Sequence, residues 1–124
     1  MEAQRLIIEY WKYIAEQNPE KLRTFFHEDA YVRWHCTNEH FNVSEFLRAN
    51  CEYPGDWNGE VERIEQAGNM IITAVHVWSD EMSFHVVSFF KMEQEKIMAI
   101  DEYWGDDGKA PQWRLDKHIG SQIN

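Results

Sequence analysis

The sequence predicts an α+β domain, in which three N-terminal helices pack on one face of a multi-stranded antiparallel sheet. Two observations predict this class. Apolar residues recur at three- and four-residue steps in the first part of the chain, whereas its later part divides into four β-rich segments joined by short polar turns. The 124 residues suit one domain and leave no room for a second.

The first helix is predicted over Glu2–Gln17, where the apolar side chains share one face. These are Leu6, Ile7, Tyr10, Trp11 and Ile14. Asn18 and Pro19 then supply a cap and a first-turn proline, which predicts a short second helix ending near His27.

A turn at His27–Asp29 and a strand at Asp29–His35 are predicted next, because that strand segment is rich in β-branched and aromatic residues. The third helix is predicted over Asn42–Cys51, where helical spacing returns, with Asn42 or Ser44 as the cap. A Pro-Gly pair shortly afterwards ends it.

The antiparallel sheet is predicted from four segments in which strand-forming residues alternate between short turns. These are Val61–Gln66, Met70–Trp78, Met82–Met92 and Lys96–Trp104. Gly105–Asn124 has the composition of turns and is predicted to be a C-terminal tail that wraps the surface.

The charge of the chain excludes several classes of partner. Twelve Lys and Arg residues face 22 Asp and Glu, a formal charge of -10, which repels nucleic acids and anionic lipid head groups. No apolar run approaches the roughly 18 to 20 residues that a membrane span requires. We therefore expect a cytoplasmic protein with no nucleic-acid or membrane partner.

Short motifs give no sign of a cofactor or a nucleophile. Cys36 and Cys51 lack CxxC spacing and are expected to be free structural thiols. Phosphate-binding glycine motifs and the GxSxG motif are absent from the sequence, and the six histidines show neither HxH nor HExxH spacing. We expect no metal site. Asp106 and Asp107 are interpreted as a solvated loop.

The order of these elements resembles the nuclear transport factor 2-like superfamily and, within it, the SnoaL-like branch. The resemblance covers about residues 3–104 and is carried by three passages. These are LRTFFHEDAYVRW from Leu22, the strand Val86–Met92, and the closing KIMAIDEYW. It implies a cone-shaped barrel, made by a curved sheet and the helices, whose mouth admits a small and mostly apolar molecule. It also implies a homodimer through the convex sheet face.

The same resemblance places Trp34 where ketosteroid isomerases have a proton-shuttling carboxylate, Tyr10 where they have an oxyanion-donating tyrosine, and Ser88 where they have a second acid. An indole cannot abstract a proton from carbon, and a serine hydroxyl is a weaker donor than a neutral carboxylic acid. Steroid-type isomerisation is therefore disfavoured.

Glu102 is the candidate catalytic acid. It shares strand parity with Trp104, and the resemblance turns that parity toward the cavity. Walled by Trp34, Trp57 and Trp104, its carboxylate would be poorly solvated and its pKa raised toward neutrality. Tyr10 would then donate to a substrate carbonyl or hydroxyl in a cofactor-free isomerisation, dehydration or aldol-type cyclisation. Alternatively, Glu102 is a structural carboxylate paired with an arginine or a tyrosine.

Two functional hypotheses remain open. In the first, Tyr10, Glu102 and the ligand-binding residues form an aromatic pocket for a small molecule; the ligand-binding residues are Trp34, Trp57, Ser88 and Trp104. In the second, the chain is a non-catalytic homodimeric scaffold whose pocket is vestigial and filled by its own aromatic side chains. An empty cavity of several hundred Å³ with Glu102 on its wall would favour the first.

The outward strand parity bears on both hypotheses. Val87 and Phe89 lie on it and would leave an apolar patch in water, which favours a homodimer. His76 and His85 would face each other across the hairpin if its loop has two or four residues, which would make the dimer contact sensitive to pH.

Overall fold

The structure, a computed structural model, describes residues 2–124. The helices are α1 (Glu2–Glu16), α2 (Pro19–Arg23), α3 (Val43–Cys51) and α4 (Gln112–Asp116). The strands are β1 (Phe26–Trp34), β2 (Glu39–Asn42), β3 (Asn58–Ala67), β4 (Met70–Trp78), β5 (Ser83–Glu93) and β6 (Lys96–Asp106). A 3₁₀ turn, His35–Thr37, joins β1 to β2.

The strands form one curved, open sheet in the order β2-β1-β6-β5-β4-β3, and the predicted α+β class is confirmed. All neighbouring strands are antiparallel except β1 and β6, which run parallel. The predicted four-strand meander is therefore β3 to β6. Helices α1 and α3 cover the inner face, where Ile7, Tyr10 and Phe46 are buried with the inward side chains of the sheet.

The predicted turn at His27–Asp29 is wrong, because these residues lie inside β1. Helix α2 ends at Arg23, earlier than the predicted His27, and β1 begins at Phe26. The pairing of β1 with β6 shifts register between Phe26 and Tyr31, so the polar segment occupies an irregular stretch of strand. Pairing with a strand 70 residues later in the chain holds this segment extended, and a local pattern does not report such a partner.

Strand β2 was not predicted. Asn38 adopts a left-handed conformation with φ 57°, which reverses the chain after the 3₁₀ turn so that β2 pairs with β1. The third helix begins as predicted: the Asn42 side chain accepts from the backbone N–H of Glu45, and the Glu45 carboxylate accepts from that of Asn42. This capping box defines the start of α3, whose C-terminal end lines the cavity described below.

The tail differs in part from the prediction. β6 continues to Asp106, beyond the predicted end at Trp104, and the rest includes the short helix α4. Every residue from 105 to 124 is exposed in the single chain. None of the helices described within residues 2–124 is long and apolar enough to cross a membrane.

Candidate functional site

A cavity of about 440 Å³ opens at one end of the sheet, between the C-terminal end of α1, helix α3, the 3₁₀ turn and the ends of β4, β5 and β6. Its wall is mainly apolar and includes five aromatic residues, Trp34, Tyr53, Trp57, Phe84 and Trp104. A second cavity of about 460 Å³ lies between α1 and β3 and is lined by none of the predicted site residues.

Three of the six predicted site residues, Trp34, Trp57 and Trp104, line the first cavity. The other three, Tyr10, Ser88 and Glu102, are fully or almost fully buried and are not part of its wall. Glu102 has an exposed fraction of only 1 %. The predicted residues therefore fall into two groups: three tryptophans line the cavity, and three polar residues are buried in the protein interior.

Glu102 is held by its neighbours in the sheet. Trp34 on β1 and Ser88 on β5 are its direct cross-strand partners, and Trp104 follows two residues later on the same face. Oε1 accepts from Trp34 Nε1 at 2.9 Å and from Trp104 Nε1 at 3.4 Å, and Oε2 accepts from Ser88 Oγ at 2.5 Å. The partners of this carboxyl group are thus two indoles and a hydroxyl, neither the arginine nor the tyrosine of the structural alternative.

Burial dominates the acidity of this group. Removal from water raises the pKa of Glu102 above that of an exposed glutamate, while the hydrogen bonds from Ser88, Trp34 and Trp104 lower it in part. The raised pKa agrees in direction with the sequence-based expectation. Both indole N–H groups point to Glu102, so these rings offer the cavity only carbon surfaces.

Tyr10 lies in the core. Its ring makes edge-on contacts with Trp11, Phe25, Phe26 and Phe90. Its buried hydroxyl has no hydrogen-bond partner among the protein groups of residues 2–124. Burial, followed by the charges of Glu102 and Cys51, raises the pKa of this hydroxyl well above its ordinary value, so Tyr10 stays a neutral donor.

Trp57 owes its position to the loop before it. Gly55 has φ 134°, a conformation that glycine adopts freely, and a Cβ there would lie 2.7 Å from Trp57 Nε1. The indole therefore lies against the loop backbone, stacked on Tyr53 with ring centroids 5.6 Å apart.

Sequence reasoning missed several residues of the cavity wall, namely Tyr53, Phe84, Glu39 and Asp106. Asp106 carries a detectable signal, because it continues the alternation of Glu102 and Trp104. The prediction that Asp106 belongs to a loop is therefore wrong, since it is the last residue of β6, but the residue is exposed as expected. Tyr53 lies in the loop after α3, and Glu39 lies in the unpredicted strand β2. In neither segment does a periodicity in the sequence indicate the direction of the side chain.

A second polar cluster lies on the outer face of the sheet. The loop between β4 and β5 has four residues, so His76 and His85 are direct cross-strand partners, and their rings stack with centroids 5.0 Å apart. Asp107 lies 3.3 Å from His85 Nε2 and 3.5 Å from His76 Nε2, and it accepts from Ser83 Oγ at 2.8 Å. The hydrogen bonds from Ser83 and His85 lower the pKa of Asp107.

This cluster is also the place where a metal ion could be held, although the sequence predicts no metal site. His76, His85 and Asp107 each offer one ligand atom, and these atoms lie within 4.8 Å of one another; Glu60, Glu62 and His76 form a similar group. All these carboxylates are exposed, and the histidines already share hydrogen bonds and ion pairs with their neighbours.

Comparisons with known proteins agree with this architecture. The family model of the SnoaL-like domain matches residues 7–100. Among curated proteins, none matches this chain.

Three solved structures illustrate the likeness in fold. An NTF2-like protein of unknown function from Burkholderia xenovorans shares 21% identity and a TM-score of 0.80, covering 99% of this chain and 96% of its own. A candidate ketosteroid isomerase from Kribbella flavida shares 21% identity and a TM-score of 0.82, over 99% and 90%. A candidate SnoaL-like polyketide cyclase from Shewanella putrefaciens shares 14% and a TM-score of 0.70, over 84% and 80%.

Proposed function

Because the chain belongs to the family of SnoaL-like domains, we propose that it binds a small organic molecule in the cavity walled by Trp34, Trp57 and Trp104. The observation that carries this proposal is the cavity itself, since about 440 Å³ lies within the range of small-molecule sites. The scaffold alternative requires a pocket filled by the chain's own aromatic side chains, and a cavity of this size speaks against it.

A second candidate function is proton transfer, as in an isomerase, dehydratase or cyclase that needs no cofactor. It is favoured by a buried carboxyl group with a raised pKa, Glu102, and by the buried hydroxyl of Tyr10, whose pKa is raised by burial and then by the charge of Glu102. Two of the similar structures are described as an isomerase and a cyclase. However, the indoles of Trp34 and Trp104 line the cavity while Glu102 lies behind them. Binding therefore needs no rearrangement, whereas proton transfer by Glu102 requires an indole to move.

Filling the cavity tests the binding proposal. Ala49 lies on α3 and faces the cavity, so Ala49→Trp would occupy the space with an indole. We expect compounds that raise the melting temperature of the wild type, drawn from a panel of hydroxylated aromatics and lactones, to lose this effect in the variant. Arg48→Trp is the matched control, because the neighbouring side chain is exposed and does not line the cavity. Equal shifts in wild type and Ala49→Trp would place binding elsewhere.

We also propose that the protein forms a homodimer through the outer face of the sheet. Val87 on β5 and Tyr103 on β6 are direct cross-strand partners with exposed fractions of 38 % and 46 %. Phe89 lies beside them on the same face, its ring edge-on to Tyr103 with centroids 6.2 Å apart. A contiguous apolar surface on a sheet that its own helices leave uncovered is the kind of surface that two copies bury together.

A further inference from the structure

The aromatic wall of the cavity is a continuous row of five rings, in the order Tyr53, Trp57, Phe84, Trp104 and Trp34. Successive ring centroids are 5.6, 6.0, 6.1 and 6.1 Å apart. The face of an aromatic ring carries negative electrostatic potential and its edge positive, so those rings that turn a face to the cavity attract positive charge. The tryptophans, which bind cations best among aromatic residues, make up three of the five.

The charged side chains on the same wall have one sign. Glu39 and Asp106 contribute carboxylates, and no Lys, Arg or His occurs among the described residues that line the cavity. Neither carboxylate forms a salt bridge with another group of residues 2–124. The whole chain adds to this potential with its formal charge of -10.

The amide side chains of the wall are already engaged. Gln17 Nε2 donates to the backbone oxygens of Asn50 and Tyr53 at 2.8 and 2.6 Å, and Asn50 Nδ2 donates to that of Ile14 at 3.3 Å. These hydrogen bonds hold the wall in place. The rings and the two carboxylates are the groups of this wall that would attract a cation.

Glu102 strengthens the attraction of a cation through its hydrogen bonds with two of the rings. Trp34 and Trp104 donate their N–H groups to its carboxyl group, which shifts electron density onto the indoles and makes their faces more negative. Glu102 is in this respect a positioning residue, since it orients and polarises two rings without reaching the cavity.

We propose that the ligand of this cavity is an organic cation with a methylated ammonium group and an apolar body. This inference rests on the proposed binding function and names the class of its ligand. A primary ammonium has three N–H donors; Glu39 and Asp106 could accept from it, but the ring faces replace the rest of its hydration poorly. A methylated ammonium spreads its charge over carbon-bound hydrogens and fits against rings.

The test compares a cation with its neutral carbon isostere. Choline and 3,3-dimethylbutan-1-ol have nearly the same shape and differ in charge, so calorimetric titration of both isolates the effect of charge. We expect choline to bind at least about tenfold more tightly, since several desolvated rings contribute. Equal affinity, or tighter binding of the neutral alcohol, would show that the wall selects for shape alone.

Two sets of variants locate the effect. Phe84→Leu keeps an apolar side chain but removes a ring face, and Glu39→Gln with Asp106→Asn removes the charges. Each should reduce the ratio of choline affinity to alcohol affinity several-fold. If choline and the isostere both fail to bind while neutral aromatics bind in a manner that Ala49→Trp abolishes, the proposed function holds and the cation inference is overturned. If no probe binds, both are overturned.

Discussion

At the scale of single residues, the carboxyl group of Glu102 sets a dependence of stability on pH. Burial raises the pKa of Glu102 on folding. Its favourable contribution to the free energy of unfolding is therefore complete below the ordinary carboxyl pKa and is lost as the pH rises through the raised value. Glu102→Gln does not titrate, and its amide can accept from both indoles and donate to Ser88 Oγ. We expect its free energy of unfolding, relative to that of the wild type, to increase with pH across this window. Urea unfolding at a series of pH values measures the difference.

Removal of the Glu102 side chain tests the hydrogen bonds that the carboxyl group accepts. Glu102→Ala leaves two indole N–H groups and a hydroxyl without their acceptor, so we expect it to lower the free energy of unfolding by about 2 to 4 kcal/mol. A difference between Glu102→Gln and wild type that stays constant with pH would mean that the carboxyl pKa is the same in the folded and unfolded chain.

The burial of Glu102 could be predicted from the sequence, because alternation along β6 places it on the parity of Trp104. Its separation from the cavity could not. Both indoles turn their N–H groups back to the carboxylate, and this depends on side-chain rotations and on the parallel pairing of β1 with β6. Alternation along a strand predicts the sheet face on which a side chain lies, but it does not predict whether other side chains separate it from the cavity.

At the scale of elements, Asp107 joins the ends of β4, β5 and β6. It accepts from Ser83 Oγ, lies next to His85 and His76, and its backbone N–H donates to Ser83. Because its pKa is lowered on folding, this contribution to stability is present above the ordinary aspartate pKa and is lost as the pH falls through the lowered value. We expect Asp107→Asn to be less stable than wild type near neutral pH, and the difference to disappear in acid.

Asp106→Asn is the control for this prediction, since the neighbouring carboxylate makes no salt bridge among residues 2–124. Chemical unfolding at neutral and acidic pH compares the two variants. Equal stability of Asp107→Asn and wild type at neutral pH would show that the exposed cluster adds nothing to the sheet.

The elements that the sequence predicted best have strong local patterns. The buried face of α1, the cap of α3 and strands β3 to β6 follow from spacing and turn residues. Strand β2 has four residues at a sheet edge and depends on the backbone conformation of Asn38. The start of β1 depends on a partner strand far along the chain. Both lie beyond what a local window contains.

At the scale of the whole molecule, the outer sheet face and the net charge act against each other. Burial of Val87, Phe89 and Tyr103 in a homodimer removes apolar surface from water, whereas two chains of charge -10 repel each other. We expect a dimer at micromolar concentration whose dissociation constant falls as salt is added, because screening over about 10 Å at 0.1 M weakens the repulsion but leaves the apolar contact. Sedimentation velocity across a salt series measures this.

Val87→Glu tests where the contact lies. It places a charge at the centre of the apolar patch, where the symmetry of a dimer would bring two such charges together, and we expect the variant to be monomeric at concentrations that keep the wild type dimeric. Ile8→Glu makes the same exchange on the exposed side of α1, where the exposed fraction is 49 %, and should leave the dimer intact. A wild type that stays monomeric at tens of micromolar in high salt would refute the dimer. If Val87→Glu is dimeric, the contact lies on another surface. The exposed apolar residues Trp113 and Ile119 of the tail are then the next candidates.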